Sequence, residues 1–522
     1  MWNSIRRHLS SVNLSKLKQA VAFVLYAILL YVAARFLISG LDGHASRTAV
    51  FVLALSFIFL GSSKRSFFIL FPIVTLCSLY TPVGFEYGPP DYQALSSLMA
   101  TDAKESVEFL GIISLKSYLK ALSIPLILGV CYLIAQRFKL QPWRNKSLVI
   151  VAVLSLVVLM KPLHFFSSLE KSYKQVEVEK TKLESLIQGS NWSDVTYQGG
   201  EKDYVLVIGE SVRRDYMYIY GYPVNNTPFI GKAPATIVDG LTAGGTYTIG
   251  SLRLMLTKPD KQKWQPDYSL NVMDLANAAG IQTYWISNQG YLGEYDTPVS
   301  AIGAKATIQH FVNKSSYDTA RHSDGILLNI LQDYLSEKTS KKARLFVLHT
   351  LGSHPDACQR IEDMDDPYVV NDRKMSYVAC YVSSIKYTDE FLEKLYGQMK
   401  TYQKQSGRPF SILYFADHGM IHREIDGVIY LNNNKASKRH YNIPLLVLDS
   451  EASEHKVLNS VKSGLSFTEG LGTWMNITAK QMQHYDLFDG KSDEFDYGLK
   501  QRIQAIHEPD DPPIDISDYL RD

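Results

Sequence analysis

Residues 204–211 read YVLVIGES, an apolar run that ends in Gly209, Glu210 and Ser211. Three further apolar runs follow along the chain, LFVL at 345–348, ILYF at 412–415 and PLLVL at 444–448, with longer amphipathic segments between them. Short apolar runs that alternate with amphipathic segments are typical of buried strands in a mostly parallel sheet covered by helices. The sequence therefore predicts an α/β soluble domain over residues 203–522.

Polar residues follow three of these runs. Glu210 follows the first, the motif HTLGSH at 349–354 follows the second, and Asp417 and His418 follow the third. Open α/β sheets bind ligands at the carboxyl ends of their strands, so we expect these residues to converge. Carboxylate and imidazole ligands suit zinc or manganese. Any one of them alone would more simply be a helix cap or a core residue, but their conjunction predicts a metal site.

A glycine-rich segment, LTAGGTYTIGS at 241–251, precedes an amphipathic stretch. This pattern predicts a turn that feeds the N-terminus of a helix, where free backbone N–H groups and the helix dipole favour a phosphate. A threonine hydroxyl becomes a nucleophile when a metal lowers its pKa. Thr246 and Thr248 are therefore candidate nucleophiles, although the segment alone is equally well explained by N-cap threonines.

The N-terminal part of the chain is far more apolar than the rest. Apolar stretches lie at roughly 19–40, 47–62, 66–84, 119–136 and 147–166, each near the ~20 residues that a helix needs to cross a bilayer. The 522 residues carry a formal net charge of +2, which does not suggest a nucleic-acid partner. We predict a five-helix transmembrane domain at 1–166, a bridging helix and linker at 167–202, and a catalytic domain at 203–522.

Basic residues set the predicted orientation of the spans. They precede the first span, separate the second from the third, and separate the fourth from the fifth, as Lys64, Arg65, Arg137 and Arg144 illustrate. The positive-inside rule places those segments in the cytoplasm. An odd number of crossings then places the loop at 85–118 and everything after residue 167 in the periplasm. The chain is thus expected to be a multi-pass protein of the inner membrane.

The loop between the third and fourth predicted spans contains TDAKE at 101–105. The simplest interpretation is an amphipathic helix on the membrane surface with Thr101 as its N-cap. That structure is compatible with a role in binding a lipid headgroup.

Cysteine usage separates the two parts of the chain. Cys77 and Cys131 fall in apolar runs, whereas Cys358 and Cys380 fall in the polar part. In an oxidising compartment only the latter pair is expected to form a structural disulfide.

Five ordered motifs together resemble the phosphoethanolamine transferases of the alkaline phosphatase and sulfatase superfamily. They are VIGESVRR at 207–214, YGY at 220–222 with NTP at 226–228, GTYT at 245–248, HTLGSH at 349–354 and DHG at 417–419. The resemblance covers nearly the whole chain, from the membrane spans through the soluble domain. It implies a multi-pass helical membrane domain followed by an α/β sulfatase-like domain.

The resemblance also implies roles for particular residues. At least one zinc ion is expected, with a second possible, and Thr248 is expected to be the nucleophile. His354 is expected to hold the phosphoryl group or a second metal, and Thr101 and Glu105 to lie near the donor lipid. The implied zinc ligands are Glu210, Thr248, Asp417 and His418.

The chain departs from the family pattern in places. Gly244 and Leu254 occupy the positions at which many members carry a paired cysteine, so that disulfide is absent. The usual phosphate-binding histidine is also missing from its expected setting, where Asn432 follows Tyr430 and Leu431. Its replacement is expected to be His440, with His422 as the alternative.

The implied reaction moves phosphoethanolamine from phosphatidylethanolamine, a membrane lipid, to an envelope acceptor through a covalent phospho-threonine. Lipid A or a core sugar of lipopolysaccharide is the expected acceptor. The rival activities are glycerol-phosphate transfer, or phosphoethanolamine transfer to a periplasmic glucan. A non-catalytic scaffold would not need the complete ligand set. An arylsulfatase would need a C/S-x-P-x-R run, which is absent, and GESVR at 209–213 is not the Gly-x-Ser-x-Gly elbow of a serine esterase.

Overall fold

The chain divides into two compact units in this computed structural model. One comprises Met1–Leu95 with Phe109–Gln175, and the other comprises Ser96–Glu108 with Val176–Asp522. The structure describes residues 14–60, 63–100, 103–158, 164–184, 189–290, 297–313, 323–337, 339, 341–433, 436–506 and 510–521.

The N-terminal part of the chain is helical. Its helices are α1 (Leu14–Asp42), α2 (Arg47–Leu60), α3 (Lys64–Tyr87), α4 (Tyr92–Ala100), α5 (Ala103–Ile112), α6 (Leu115–Arg137), α7 (Lys146–Val158) and α8 (His164–Glu184). Helix α8 contributes residues to both units, so the division between the units falls within a helix. The predicted boundaries of the membrane domain (1–166) and of the linker (167–202) therefore stay predictions.

Three helices in the described part of the chain are long and apolar enough to cross a membrane. They span Lys16–Asp42, Lys64–Tyr87 and Leu115–Arg137, and they match the first, third and fourth predicted spans. Helix α2 is apolar but short, and α7 has 13 described residues in a predicted span that extends into residues 159–163, outside the described part. The count of five spans therefore stays a prediction.

Helices α1 and α3 approach each other closely at two glycines. A Cβ atom added to Gly84 of α3 would lie 1.6 Å from the carbonyl oxygen of Gly40 in α1, and one added to Gly40 would lie 2.3 Å from the Cβ of Thr81. Small residues allow the backbones of membrane helices to pack in this way, because burial of apolar surface cannot drive their association in lipid. The two glycines therefore set the separation of these helices.

An eight-stranded sheet forms the centre of the second unit. The strands of this sheet are β2 (Lys202–Gly209), β3 (Ala235–Thr242), β4 (Gln282–Gly290), β5 (Ile308–Asn313), β6 (Ala343–His349), β7 (Phe410–Ala416), β10 (Leu445–Asp449) and β11 (Lys456–Ser463). Their order across the sheet is β11-β3-β10-β7-β2-β6-β4-β5, and β10 runs antiparallel to β3 and β7 while the other neighbours are parallel. Two-stranded sheets pair β1 (Thr196–Tyr197) with β12 (Ile477–Thr478), and β8 (Ile421–Ile425) with β9 (Val428–Asn432).

The central strands confirm the strand predictions made from the apolar runs. Every residue of β6 and β7 is buried, as continuous apolar composition predicts for strands covered on both faces. The helices of this unit are α9 (Thr248–Met255), α10 (Val272–Ala278), α11 (Pro298–Gly303), α12 (Gly325–Ser336), α13 (Ser376–Ser406), α14 (Phe467–Trp474) and α15 (Leu499–Gln504).

The predicted disulfide is confirmed. Cys358 and Cys380 are bonded, with their Cα atoms 4.8 Å apart, and the bond ties the segment after β6 to helix α13.

Candidate active site

Three predicted metal ligands converge at the carboxyl edge of the sheet. Strands β2 and β7 are parallel neighbours in which Gly209 pairs with Ala416, so the residues that follow each strand emerge side by side. Ligand atoms of Glu210, Asp417 and His418 all lie within 4.8 Å of one another, and the three side chains are buried. The Nε2 atom of His418 is 3.4 Å from Glu210 Oε1 and 3.4 Å from Asp417 Oδ2.

Hydrogen bonds orient the ligand atoms toward a common point. Asp417 Oδ1 accepts from the backbone N–H groups of Ser211 and His418, whereas Oδ2 is buried and has no hydrogen-bond partner in the described part of the chain. His418 Nδ1 lies 2.7 Å from the carbonyl oxygen of Gly419. Because a carbonyl only accepts, Nδ1 carries the hydrogen and Nε2 keeps a lone pair for a metal.

The electrostatics of this cluster suit a cation. Burial, and then the charge of Glu210, raises the pKa of Asp417. Burial opposes ionisation of Glu210, but the hydrogen bond and charge of His418 hold the pKa of Glu210 below its ordinary value. Burial lowers the pKa of His418, and the adjacent Asp417 and Glu210 more than offset that effect and raise it. A buried pair of carboxylates thus depends on a positive charge, which a divalent metal bound at His418 Nε2 would supply in place of a proton there.

The chemistry of this donor set fits zinc. Two carboxylates and one imidazole leave a fourth position open, which is the arrangement of a catalytic zinc site. A zinc ion would coordinate Asp417 Oδ2, which has no hydrogen-bond partner among the described residues, and the lone pair of His418 Nε2.

Thr248 lies beside the predicted ligands. Its Oγ1 is 3.2 Å from Glu210 Oε2, 3.3 Å from Oε1 and 3.5 Å from His418 Nε2. Thr248 is the first residue of α9, which confirms that the glycine-rich turn opens a helix with Thr248 in its first turn. Gly245 permits this turn, because a Cβ there would lie 2.7 Å from the carbonyl carbon of Gly250.

The two other candidate hydroxyls are placed differently. Thr246 lies directly before Tyr247, the N-cap residue of α9, so neither Thr246 nor Thr248 is the N-cap. Ser211 Oγ donates to Glu210 Oε1 at 2.7 Å, so this hydroxyl is already engaged with a predicted ligand.

Two histidines border the cluster. His354 Nδ1 lies 2.6 Å from the carbonyl oxygen of Pro355 and donates to it, so Nε2 of the neutral ring is an acceptor. The ring of His440 is buried, with its centroid 6.2 Å from that of His418. Its Nδ1 accepts from the backbone N–H of Ser437 at 3.0 Å, so the neutral ring carries its hydrogen on Nε2. That Nε2 has no partner among the described residues.

The remaining candidates are not brought to the cluster by any described contact. His422, the alternative to His440, has its Nε2 2.6 Å from the Tyr216 hydroxyl. Glu105 lies in α5, and Thr101 lies outside the described residues.

Two further polar residues at this edge were not identified from the sequence. Asp324 accepts hydrogen bonds from the backbone N–H groups of Leu351 and Gly352, which fixes the loop between β6 and His354. Gln289, at the end of β4, lies 3.4 Å from Glu210 Oε2 through its Nε2. The available signal was the polar sequence SNQ at 287–289 after the apolar run YWI, the same pattern that led to Glu210.

Comparison with known proteins identifies the family to which this chain belongs. The family model described as Sulfatase matches residues 202–488, a stretch that includes the whole cluster. A Haemophilus influenzae protein assigned by name to the phosphoethanolamine transferases is 41% identical over 399 residues, covering 75% of this chain and 82% of the relative. The chain belongs to the phosphoethanolamine transferases of the sulfatase family.

Two further relatives agree with that assignment. Phosphoethanolamine transferase OpgE of Escherichia coli is 30% identical over 436 residues, which cover 78% of this chain and 80% of the relative. The structure of lipooligosaccharide phosphoethanolamine transferase A from Neisseria meningitidis, an integral membrane protein, matches with a TM-score of 0.54. The match covers 88% of this chain and 96% of the other at 16% identity, and it shows a shared fold. This phosphoethanolamine transferase thus joins apolar helices to a sulfatase-like α/β unit.

Proposed function

We propose that this chain takes phosphoethanolamine from phosphatidylethanolamine and passes it to an envelope acceptor through a covalent intermediate on Thr248. The observation that carries the proposal is the position of Thr248 Oγ1, which is within 3.5 Å of both Glu210 and His418 in a buried cluster suited to a metal. A hydroxyl at that distance can share the fourth coordination position or attack from it.

Glu210, Asp417, His418 and Thr248 would hold the zinc ion. When bound, zinc would lower the pKa of the Thr248 hydroxyl and stabilise negative charge on the phosphoryl oxygens. A second ion near His354 remains part of the proposal, since His354 Nε2 is available as a ligand. His440 would donate from Nε2 to a phosphoryl oxygen, because its Nδ1 is already an acceptor.

The transfer takes place in two displacements. Thr248 Oγ1 forms a bond to phosphorus, the bond to the diacylglycerol oxygen breaks, and the proton lost by the threonine is balanced by protonation of the leaving diacylglycerol. An acceptor hydroxyl then attacks the phosphorus, the bond to Thr248 Oγ1 breaks, and the acceptor's proton returns to the threonine. The helix N-terminus at Thr248 directs backbone N–H groups toward the phosphoryl charge in both steps.

We propose lipid A or a core sugar of lipopolysaccharide as the acceptor, with the catalytic unit in the periplasm and the helices in the inner membrane. Both substrates are then reached from the same compartment. Mass spectrometry of lipopolysaccharide and of periplasmic glucan, from cells with and without the gene, tests this choice. Phosphoethanolamine lost only from the glucan would contradict it.

The intermediate is tested by incubating the purified protein with phosphatidylethanolamine and mapping the adduct by peptide mass spectrometry. We expect a phosphoethanolamine mass on the peptide containing Thr248. Thr248→Ala should retain zinc and carry no adduct. Thr246→Ala is the matched control, because it changes a threonine of the same turn and should still form the adduct. An adduct on Thr246 or Ser211 would refute the assignment.

The metal is tested separately by the zinc content of Asp417→Asn. This substitution removes the carboxylate charge of Asp417, whose Oδ2 is buried. We expect the variant to bind no stoichiometric zinc and to show no turnover. Normal zinc content with normal turnover would show that the cluster is only structural.

A further inference from the structure

The end of strand β4 brings an amide side chain to the buried ligand Glu210. Strands β4, β6 and β2 are parallel neighbours, and Ser287, His349 and Ile208 lie in one row across them. Gln289 and Glu210 each lie two residues beyond that row. The register of β4 shifts after Ser287, an irregularity of the kind that re-aims a side chain, and the Gln289 amide reaches Glu210 Oε2. Their strands are separated by β6 and therefore lie on the order of 10 Å apart, a gap that two long side chains can bridge.

Two acceptors fix the orientation of the Gln289 amide. Its Nε2 lies 2.7 Å from the carbonyl oxygen of Thr350 and 3.4 Å from Glu210 Oε2. A backbone carbonyl and an ionised carboxylate only accept hydrogen bonds. The nitrogen of the amide, and not its oxygen, must therefore face them. The carbonyl of Thr350 thus anchors the donor that meets the carboxylate.

The two oxygens of Glu210 have different surroundings. Oε1 accepts from Ser211 Oγ and faces His418 Nε2, whereas Oε2 is the oxygen near Gln289 Nε2. Thr248 Oγ1 lies close to both oxygens, at 3.3 Å from Oε1 and 3.2 Å from Oε2. Thr248 loses its hydrogen when its oxygen becomes a nucleophile, so it can no longer donate to Oε2. Gln289 is then the donor that remains on this oxygen.

From these contacts we propose that Gln289 is a positioning residue that orients Glu210 as a zinc ligand, with Oε1 directed to the metal side and Oε2 held by the amide. The inference rests on the proposed zinc site. A hydrogen bond to a metal-bound carboxylate fixes its orientation, and loss of such a contact typically weakens metal binding by about 10- to 100-fold.

The test is zinc affinity, measured by chelator competition on the full-length protein in detergent. Gln289→Met keeps the length of the side chain and removes the donor, while Gln289→Asn keeps the amide and loses the reach across β6. Both variants should bind zinc at least about 10-fold more weakly than the wild type. The matched control is Gln309→Met on neighbouring β5, since Gln309 also donates to a backbone carbonyl, that of Ala304 at 2.6 Å, and touches no predicted ligand.

A second measurement separates positioning from a purely structural role. The melting temperature of the metal-free protein should change no more in Gln289→Met than in Gln309→Met. Zinc affinity within twofold of the wild type in both Gln289 variants would overturn the proposal, and so would a fall in metal-free melting temperature without a loss of affinity. A wild-type protein that binds no zinc would instead contradict the proposed function itself.

Discussion

At the scale of single residues, His440 has a donor nitrogen without a described partner, and its ring lies beside the buried cluster of predicted metal ligands. Burial, and then the charge of His418, lowers the pKa of His440 to about 3, so the ring is neutral at physiological pH. A neutral ring with its hydrogen on Nε2 can donate to a phosphoryl oxygen and cannot act as a proton source. We expect His440→Phe, which keeps the volume of the ring, to lower turnover by about 100-fold.

Zinc content decides what the His440 result means. We expect His440→Phe to keep its zinc, because the donor set at Glu210, Asp417 and His418 is intact. Loss of zinc would instead show that His440 is a metal ligand. His422→Gln is the matched control, since its imidazole contacts Tyr216, and it should retain turnover.

His422 should make stability depend on pH. Burial, and then the charge of Arg213, lowers its pKa to about 3 in the folded protein, against an ordinary value near 6.5. Between those two values the unfolded chain binds a proton that the folded chain does not. The free energy of unfolding therefore falls as pH falls from about 6.5 toward 3, by up to about 1.4 kcal/mol per pH unit from this one group.

The comparison of wild type with His422→Gln isolates that contribution. Glutamine can still accept from the Tyr216 hydroxyl but does not titrate. Arg213, Arg439 and Asp215 also influence this histidine, and all three are present in both proteins. Between pH 7 and pH 5 the melting temperature of the full-length wild type should fall further than that of the variant. Parallel falls would show that His422 does not titrate on unfolding.

At the scale of elements, the crossing of α1 and α3 depends on the absence of a side chain at Gly84. A methyl group there would overlap the carbonyl of Gly40 at 1.6 Å, and a backbone atom cannot rotate away. Gly84→Ala should therefore separate the helices and destabilise the helical unit by about 1–3 kcal/mol or more, seen as a lower melting temperature in detergent.

Gly129 offers the matched control in α6. A Cβ at Gly129 would meet nothing within 4 Å, so Gly129→Ala gains helix propensity without a clash. It should leave the melting temperature unchanged or raise it slightly. Equal changes in melting temperature for the two substitutions would mean that helix propensity, and not the packing of α1 against α3, determines the effect of Gly84→Ala.

Strands were predictable where local composition alone determines their environment. The apolar runs at 204–208, 345–348 and 412–415 became β2, β6 and β7, because a strand covered on both faces must be apolar throughout. The convergence of Glu210 with Asp417 followed from the same rule, since parallel neighbours end at one edge. The disulfide followed from the compartment, which left Cys358 with a single partner.

Contacts that depend on strand order were not predictable from local sequence. Gln289 meets Glu210 only because β6 lies between β4 and β2, an order that no single run of residues encodes. Asp324 holds the loop after β6 from the start of a helix elsewhere in the chain. The explanation of the threonines in the glycine-rich segment as N-caps was wrong, because Tyr247 is the N-cap residue of α9.

At the scale of the whole molecule, the number of membrane crossings decides which loops share a compartment with the catalytic unit. Three described helices are long enough to span, whereas the sequence predicts five spans. Both counts are odd, so both place the catalytic unit opposite the N-terminus. A reporter fused after residue 200 should be active only in the periplasm, and a cytoplasmic signal would contradict both counts.

The loops separate the two counts. With five spans, the segment around Asp91 lies in the periplasm and the basic segment at 137–146 lies in the cytoplasm, in accord with the positive-inside rule. With three spans, formed by α1, α3 and α6, both segments change sides and the basic one becomes periplasmic. Charge therefore favours five, even though α2 is shorter than a typical span.

Single-cysteine labelling in intact cells tests this directly. In a variant with Cys77 and Cys131 replaced by serine, the disulfide protects Cys358 and Cys380, so an introduced cysteine is the only free thiol. Five spans predict that exposed Asp91→Cys reacts with a membrane-impermeant maleimide added from the periplasmic side, and that Lys139→Cys reacts only after the membrane is permeabilised. The opposite pattern would establish three spans. It would also place the loop at 85–118 in the cytoplasm, away from the catalytic unit, and so exclude Thr101 and Glu105 from a role in holding the donor lipid at that unit.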